Sequence, residues 1–321
     1  MEDPTELYNK AVKKESSWLK IFYDDSDYEN IADMYNRSGD LFRNNKQWVL
    51  SINSYNAAIK IFIRINDPLK TIELYQYITN IYSTQLNDID NAIINAQNCI
   101  NICPRNYKSN VAKLYKVLGT LYEKKNNYIK AIESYESSAN VYTFMNYHTQ
   151  DIKQCFHRIA ELYCILEEYK NALLKYKEIL NLSKSQYRNY IDDSTITKIV
   201  LCNIIDEDIV GAKNTINTFM LIKSPTSTFL KNIITSVENT HYNMFIDTTN
   251  SLTEIHKLDN IDNILISKIK SMYFINNTYT NIQNIDNLTN VTNETNIDNI
   301  NVPNINDTNN INNINNIDDW T

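Results

Sequence analysis

Along most of the chain, apolar residues recur at intervals of three and four, the spacing of helices with one buried face. Over residues 108–142, Leu114, Leu118, Leu121 and Tyr122 make one such stripe, and Tyr128, Ala131, Ile132, Tyr135 and Ala139 make a second. The polar pair Asn126-Asn127 lies between them. The pattern predicts two amphipathic helices joined by a short turn. Gly119 and Ala131 fall where facing helices need small residues to approach closely.

The hairpin is repeated. Second helices register on Trp48, Ile89, Tyr128, Tyr169 and Ile209, and successive starts lie 41, 39, 41 and 40 residues apart. First helices keep the same step through Ser38-Gly39, Ile78-Thr79, Leu118-Gly119, Ile159-Ala160 and Val200-Leu201. The order L-G-x2-Y followed by Y-x2-A-x3-Y is of the tetratricopeptide type, although the step exceeds the usual ~34 residues, which predicts longer helices or turns. A single hairpin buries too little surface to stand alone, so the copies must stack. The expectation is an all-α, tetratricopeptide-like right-handed solenoid of about 14 helices, with a C-terminal helical cap and a disordered Asn-rich tail.

The ends depart from the repeat. Residues 1–27 hold a short amphipathic helix and then Trp18, Leu19, Ile21, Phe22 and Tyr23, too dense an apolar run for one face of a helix. Either the rest of the N-terminus covers this run, which composition alone favours, or it enters a bilayer interface, where Trp, Tyr and Lys are at home. Repeats occupy 28–221, and 222–275 keeps helical spacing without the repeat signature, as three capping helices. Residues 276–321 are low-complexity Asn, Ile and Asp with no Lys or Arg, a composition that predicts disorder and carries a β-aggregation hazard. That tail holds six acids, so the formal charge of −7 leaves a nearly neutral body of 32 acids against 31 bases.

Candidate chemistry is sparse. All three glycines, Gly39, Gly119 and Gly211, lie inside repeat helices, leaving none for a phosphate loop, dinucleotide turn or nucleophile elbow. His148, His157, His241 and His256 are scattered away from catalytic or metal spacing, so an enzyme, a metal site and a cofactor are not expected. Five cysteines and no signal-peptide pattern point to reduced thiols in a cytosolic compartment; Cys99 and Cys103 read as packing residues. No apolar run approaches the ~20 residues of a membrane span. A neutral body without a basic run argues against nucleic acid, and the 23 tyrosines read as helix-packing residues.

Four stretches carry a resemblance: YENIADMYNRSGDLFRNNKQWVLSINSYNAAIKIF, YEKKNNYIKAIESYESSANVY, CFHRIAELYCILEEYKNALLKY and LDNIDNILISKIK. With the N-terminal aromatic run, they make residues 5–275 resemble the soluble NSF-attachment proteins of the alpha type; the last stretch is similar to that family's LDxWLxxxLLRIKK. The resemblance implies a cytoplasmic adaptor, peripheral on vesicle, Golgi or other endomembranes. Several copies would coat a SNARE four-helix bundle and recruit the NSF hexamer, an ATPase that unwinds it. It also turns the reading of Trp18, Leu19, Ile21, Phe22 and Tyr23 towards membrane contact.

By resemblance, Lys113, Arg158 and Lys198 match basic residues on the SNARE-facing repeats, with Lys108, Lys116 and Lys153 nearby. Gln154 stands where relatives usually carry Lys. Leu258, Asp259, Asp262 and Leu265 match the NSF-facing helix, and Asp318, Asp319 and Trp320 could replace the acidic end of relatives that stop sooner. The competing reading is a co-chaperone or scaffold adaptor that clamps an acidic peptide in a groove of adjacent first helices.

Overall fold

The second helices begin where the periodicity places them. The computed structural model describes residues 2–104, 106–146, 148–184, 193–220, 224–255 and 258–274. The Asn-rich tail, with Asp318, Asp319 and Trp320, lies outside them. Among the described residues there are fourteen α-helices and no strand. They are α1 (Pro4–Glu15), α2 (Asp25–Asn44), α3 (Trp48–Arg64), α4 (Pro68–Asn80), α5 (Ile89–Ile102), α6 (Lys108–Lys124) and α7 (Tyr128–Thr143). There follow α8 (Thr149–Ile165), α9 (Tyr169–Lys184), α10 (Asp193–Ile205), α11 (Ile209–Phe219), α12 (Pro225–Glu238), α13 (Tyr242–Ile255) and α14 (260–274). A 3₁₀ turn, Trp18–Phe22, follows α1, and a π turn, Ile81–Gln85, extends α4.

Each hairpin turn is built without glycine. Lys46, Asn87, Asn126, Glu167 and Glu207 take positive φ, each two residues before a second helix starts. The next residue sends its N–H back to the preceding helix, as Asn127 does to the Tyr122 carbonyl at 2.9 Å and Glu168 to Tyr163 at 2.8 Å. This ends one helix. In three of the turns that residue then caps the next, with Asp88, Asn127 and Asp208 accepting from Asn91, Lys130 and Gly211. Two polar residues thus stop one helix and start another, and the turn repeats with the period of the sequence.

Tyrosines weld the hairpins. Tyr35, Tyr55, Tyr142 and Tyr176 are among the largest wholly buried side chains. Tyr55 and Tyr135 lie against Gly39 and Gly119 and send their hydroxyls to Asp40 and Glu123, at 2.7 Å each. A phenol placed this way supplies apolar area and satisfies its polar end at the rim.

The C-terminal end is organised around α10. Thr195 to Ile205 are buried without interruption, so this helix is covered on every side. Helices α9, α11 and α12 pack on it, and α14 adds a further cover by placing Ile261, Leu265, Ile266 and Ile269 in the same core as Ile196, Ile199, Val200 and Ile204. Tyr273 bonds the Ile204 carbonyl at 3.0 Å, and Lys268 pairs with Glu167 at 2.7 Å. The last helix is therefore laid onto α8 and α10.

Candidate functional site

Three surfaces carry the residues singled out from sequence. At the N-terminus the 3₁₀ turn points Trp18, Ile21 and Phe22 into solvent, Trp18 at 75% exposure, with Leu19 half exposed. Tyr23 turns inward, with its ring edge-on to Tyr28 at 5.8 Å and its hydroxyl on the Lys14 carbonyl at 3.4 Å. The covered arrangement that composition favoured is not adopted: of the five, Tyr23 is the one that packs between α1 and α2, whose contact is otherwise filled by Ala11 and by Tyr8 on Tyr35. Ser17 fixes the turn by accepting the Leu19 N–H at 3.2 Å.

The second surface is the row of first helices. Lys113 is exposed, and Lys116 reaches Gln154 across the α6–α8 contact. Lys153 is half buried and engaged rather than free. Lys108 is exposed but opens α6, at the end of the row. Arg158 is committed internally, with bonds to Glu123 of α6 and to Glu161 at 2.6 Å. Both carboxylates are largely buried, and Glu123 also accepts the Tyr135 hydroxyl. Bonding to Glu123 raises the arginine pKa against the opposing effect of burial. Arg158 therefore neutralises acids of its own chain in place of standing free on a stripe.

Lys198 departs furthest from expectation. Its side chain is 0% exposed, and its ammonium lies 2.6 Å from Asp259, 3.5 Å from Asp262 and 2.8 Å from the Ser194 hydroxyl. The resemblance placed it on an exposed SNARE-facing surface; the structure removes it, because α14 covers this part of the first-helix row.

The third surface changes in the same way. Leu265 is wholly buried, Asp262 nearly so, and Leu258 packs against the core. Asp259 is half exposed and caps α14, accepting the Asp262 N–H at 2.9 Å while Asp262 accepts the Asp259 N–H at 3.2 Å. This reciprocal pair is a capping box. Three of the four residues expected to face NSF instead hold α14 in place, and the helix turns Asn260, Asn263, Ser267 and Lys270 outward.

Sequence reasoning missed the Glu123–Arg158–Glu161 cluster and the capping box, whose signal, Asp-x-x-Asp at 259–262, also opens α2 at 24–27. Among the described residues no three metal-ligating side chains gather. Burial pushes the Cys99 thiol up to about 12, which suits a packing residue.

A sequence model of the family described as "Soluble NSF attachment protein, SNAP" matches residues 2–273. The chain is 23% identical to the alpha-soluble NSF attachment protein of Vitis vinifera over 83% of its own length and 92% of that protein. It is 23% identical to the beta-soluble NSF attachment protein of Bos taurus, covering 81% and 89%. The probable vesicular-fusion protein sec17 homolog of Schizosaccharomyces pombe is again 23% identical, covering 84% and 96%.

Proposed function

The chain belongs to the soluble NSF attachment protein family, and from that membership we propose that it is an adaptor, not an enzyme, which binds SNARE complexes and recruits the NSF ATPase to disassemble them. The family match across 2–273 carries the reading, because it spans the repeats and both divergent ends. In this reading the protein works in the cytoplasm, peripheral on vesicle, Golgi or other endomembranes. No described helix is long and apolar enough to cross a membrane.

Each surface then has a task. A rigid row of first helices suits a long coiled-coil bundle, and Lys113, Lys116 and Lys153 supply the cations for an acidic bundle surface. Trp18, Ile21 and Phe22, beside Lys13 and Lys14, would enter an anionic bilayer interface and raise the local concentration of the adaptor. The outward face of α14, from Asp259 through Lys270, would meet NSF, with Leu258, Asp262 and Leu265 holding the helix to its support.

The test is co-sedimentation with a purified SNARE four-helix bundle, with and without NSF and ATP. The adaptor should bind the bundle, retain NSF only when the bundle is present, and release both on hydrolysis. Failure to bind the folded bundle, or equal binding to a short acidic peptide, would overturn the proposal in favour of the peptide-clamping reading.

A further inference from the structure

The exposed run at Trp18–Phe22 is not isolated. Consecutive helices alternate in direction, so the turn after α1 shares an edge with the ends of α3, α5 and α7 and the starts of α2, α4 and α6. Side chains tie these ends together. The Arg64 guanidinium lies 3.8 Å over the Tyr28 ring, Lys70 pairs with Glu29 at 3.1 Å, and the Ser138 hydroxyl bonds the Ala112 carbonyl at 2.8 Å. Along this edge Leu69 is 56% exposed, Ile102 is exposed, and Phe144 reaches 77%, more than Trp18.

Phe144 also borders an open cleft of about 390 Å³ between the ends of α5, α6 and α7. Among the described residues Ile100, Val111, Tyr115 and Val141 line it, together with one cation, Lys108, and no carboxylate. Single exposed apolar residues are ordinary. An exposed aromatic bordering an apolar cleft with a lysine, on the edge that already presents Trp18 and Phe22, is a combination that suits a lipid, whose acyl chain needs apolar walls and whose phosphate needs a cation.

We propose that this cleft, with Phe144 and Lys108, is a second membrane contact that takes an anionic phospholipid of the bilayer on which the N-terminal run sits. The proposal rests on the membrane-contact reading above and extends it along the same edge. Phe144 inserts among acyl chains and Lys108 pairs with the headgroup phosphate. Lys108 thereby leaves the SNARE-facing set and joins Lys13 and Lys14 as a headgroup ligand.

The experiment is vesicle flotation of the full chain with phosphatidylcholine, alone or containing phosphatidylserine. Phe144→Ser should lower partitioning about tenfold, which corresponds to roughly 1.4 kcal/mol of lost apolar transfer. Lys108→Glu should weaken binding only where phosphatidylserine is present. Val210→Ser is the control, since Val210 is 70% exposed but lies on the opposite edge, beside Asp206, Glu207 and Asp208; it should change nothing. Photoreactive acyl chains should label the peptide containing Phe144 in the unaltered protein. A Trp18→Ser, Phe22→Ser variant separates the two readings. If it loses binding while Phe144→Ser does not, and Phe144 is unlabelled, the second contact is overturned and the first stands. If neither variant loses binding, both fall. All these side chains are exposed, so unchanged thermal melts should accompany every result.

Discussion

The Lys198 ammonium lies 2.6 Å from a carboxylate oxygen of Asp259, a residue 61 positions later. The pair fastens α14 to α10, which is buried on all sides. Removing one member of a buried pair typically costs roughly 3–5 kcal/mol, and the half exposure of Asp259 lowers this to about 2 kcal/mol for Lys198→Ala. Lys198→Met combined with Asp262→Asn should recover most of the loss, because no buried charge is then left alone. Denaturant melts test the recovery, and amide exchange in α14 should rise selectively in Lys198→Ala.

The same site fixes the acid response. Burial alone would raise the Asp259 pKa, but Lys198 and the N–H groups of Asp262 and Ile261 hold it below the ordinary 3.8. Its contribution is therefore present above 3.8 and lost as pH falls through the lower folded value. Asp262 behaves oppositely, since burial and the neighbouring Asp259 charge raise it against the pull of Lys198. Its charge weakens the fold at neutral pH, and protonation relieves this as pH falls towards 3.8. Titrating stability from pH 7 downward should show a hold or slight gain in mild acid and then loss of α14 below 3.8. Asp262→Asn should abolish the gain and keep the loss.

The repeat was legible in the sequence because one event recurs in it. A polar residue at positive φ, followed by a helix start, recurs at Lys46, Asn87, Asn126, Glu167 and Glu207 with the step read from the apolar stripes. The candidate site was legible in part. Trp18, Ile21 and Phe22 were readable as a run that no helix face could hide. Lys198 was misplaced because its surroundings come from a distant helix, yet ITKIVLCNII, in which Ile, Val, Leu and Cys fall on every face of the helix, already argued against an exposed position. Leu258, Asp262 and Leu265 share a face with Ile261 and Ile269, so their spacing marked packing as much as binding. Phe144 closes α7 beyond the end of its stripe, and periodicity gives such a residue no address.

Charge reversals on the first-helix row should separate binding from folding. Lys113 is exposed, and Lys113→Glu should weaken capture of a SNARE bundle with no change in melting. Arg158→Glu would set a third acid beside Glu123 and Glu161, both largely buried. Discounted for the partial exposure of Arg158, the expected loss is about 2 kcal/mol, and weakened capture by this variant would then report damage to the repeat. Glu161 strengthens the argument: burial would raise its pKa, but His157 and Arg158 hold it low, so its stabilisation is present above 4.5 and fades as pH falls through the folded value. Paired melts and pull-downs at one salt concentration distinguish the two variants.

The glycine in α6 faces a ring that cannot move aside. A methyl group at Gly119 would stand 2.8 Å from Cζ and 2.9 Å from both Cε atoms of Tyr135. The Tyr135 hydroxyl is anchored on Glu123 at 2.7 Å and lies 3.1 Å from Thr120. Alanine gains about 1 kcal/mol of helix propensity over glycine, while overpacking against a fixed ring costs about 1–3 kcal/mol. Gly119→Ala should therefore destabilise, by up to about 2 kcal/mol. Gly119→Ala with Tyr135→Leu should cost less than the two single changes summed, and a double-mutant cycle of melts would measure the difference. Additivity would show that the ring yields after all.

The turn between α12 and α13 sets a β-branched residue where side chains are least welcome. Thr240 has φ 51°, and its hydroxyl bonds only the carbonyl of Asn239, at 2.8 Å, on the surface. Its N–H and that of His241 close the end of α12 on Val237 and Ser236, at 3.2 and 2.8 Å, so the backbone must keep this shape whatever the side chain. A left-handed conformation costs an L-residue about 1–2 kcal/mol, more for a branched side chain and least for glycine or asparagine. Glycine returns part of that gain through the greater freedom of its unfolded chain. Thr240→Gly should raise stability by about 0.5–1 kcal/mol and Thr240→Asn by a similar amount, while Thr240→Val should not raise it. Denaturant midpoints of the three variants check the order, and a fall in stability with glycine would mean that the surface hydroxyl outweighs the strain.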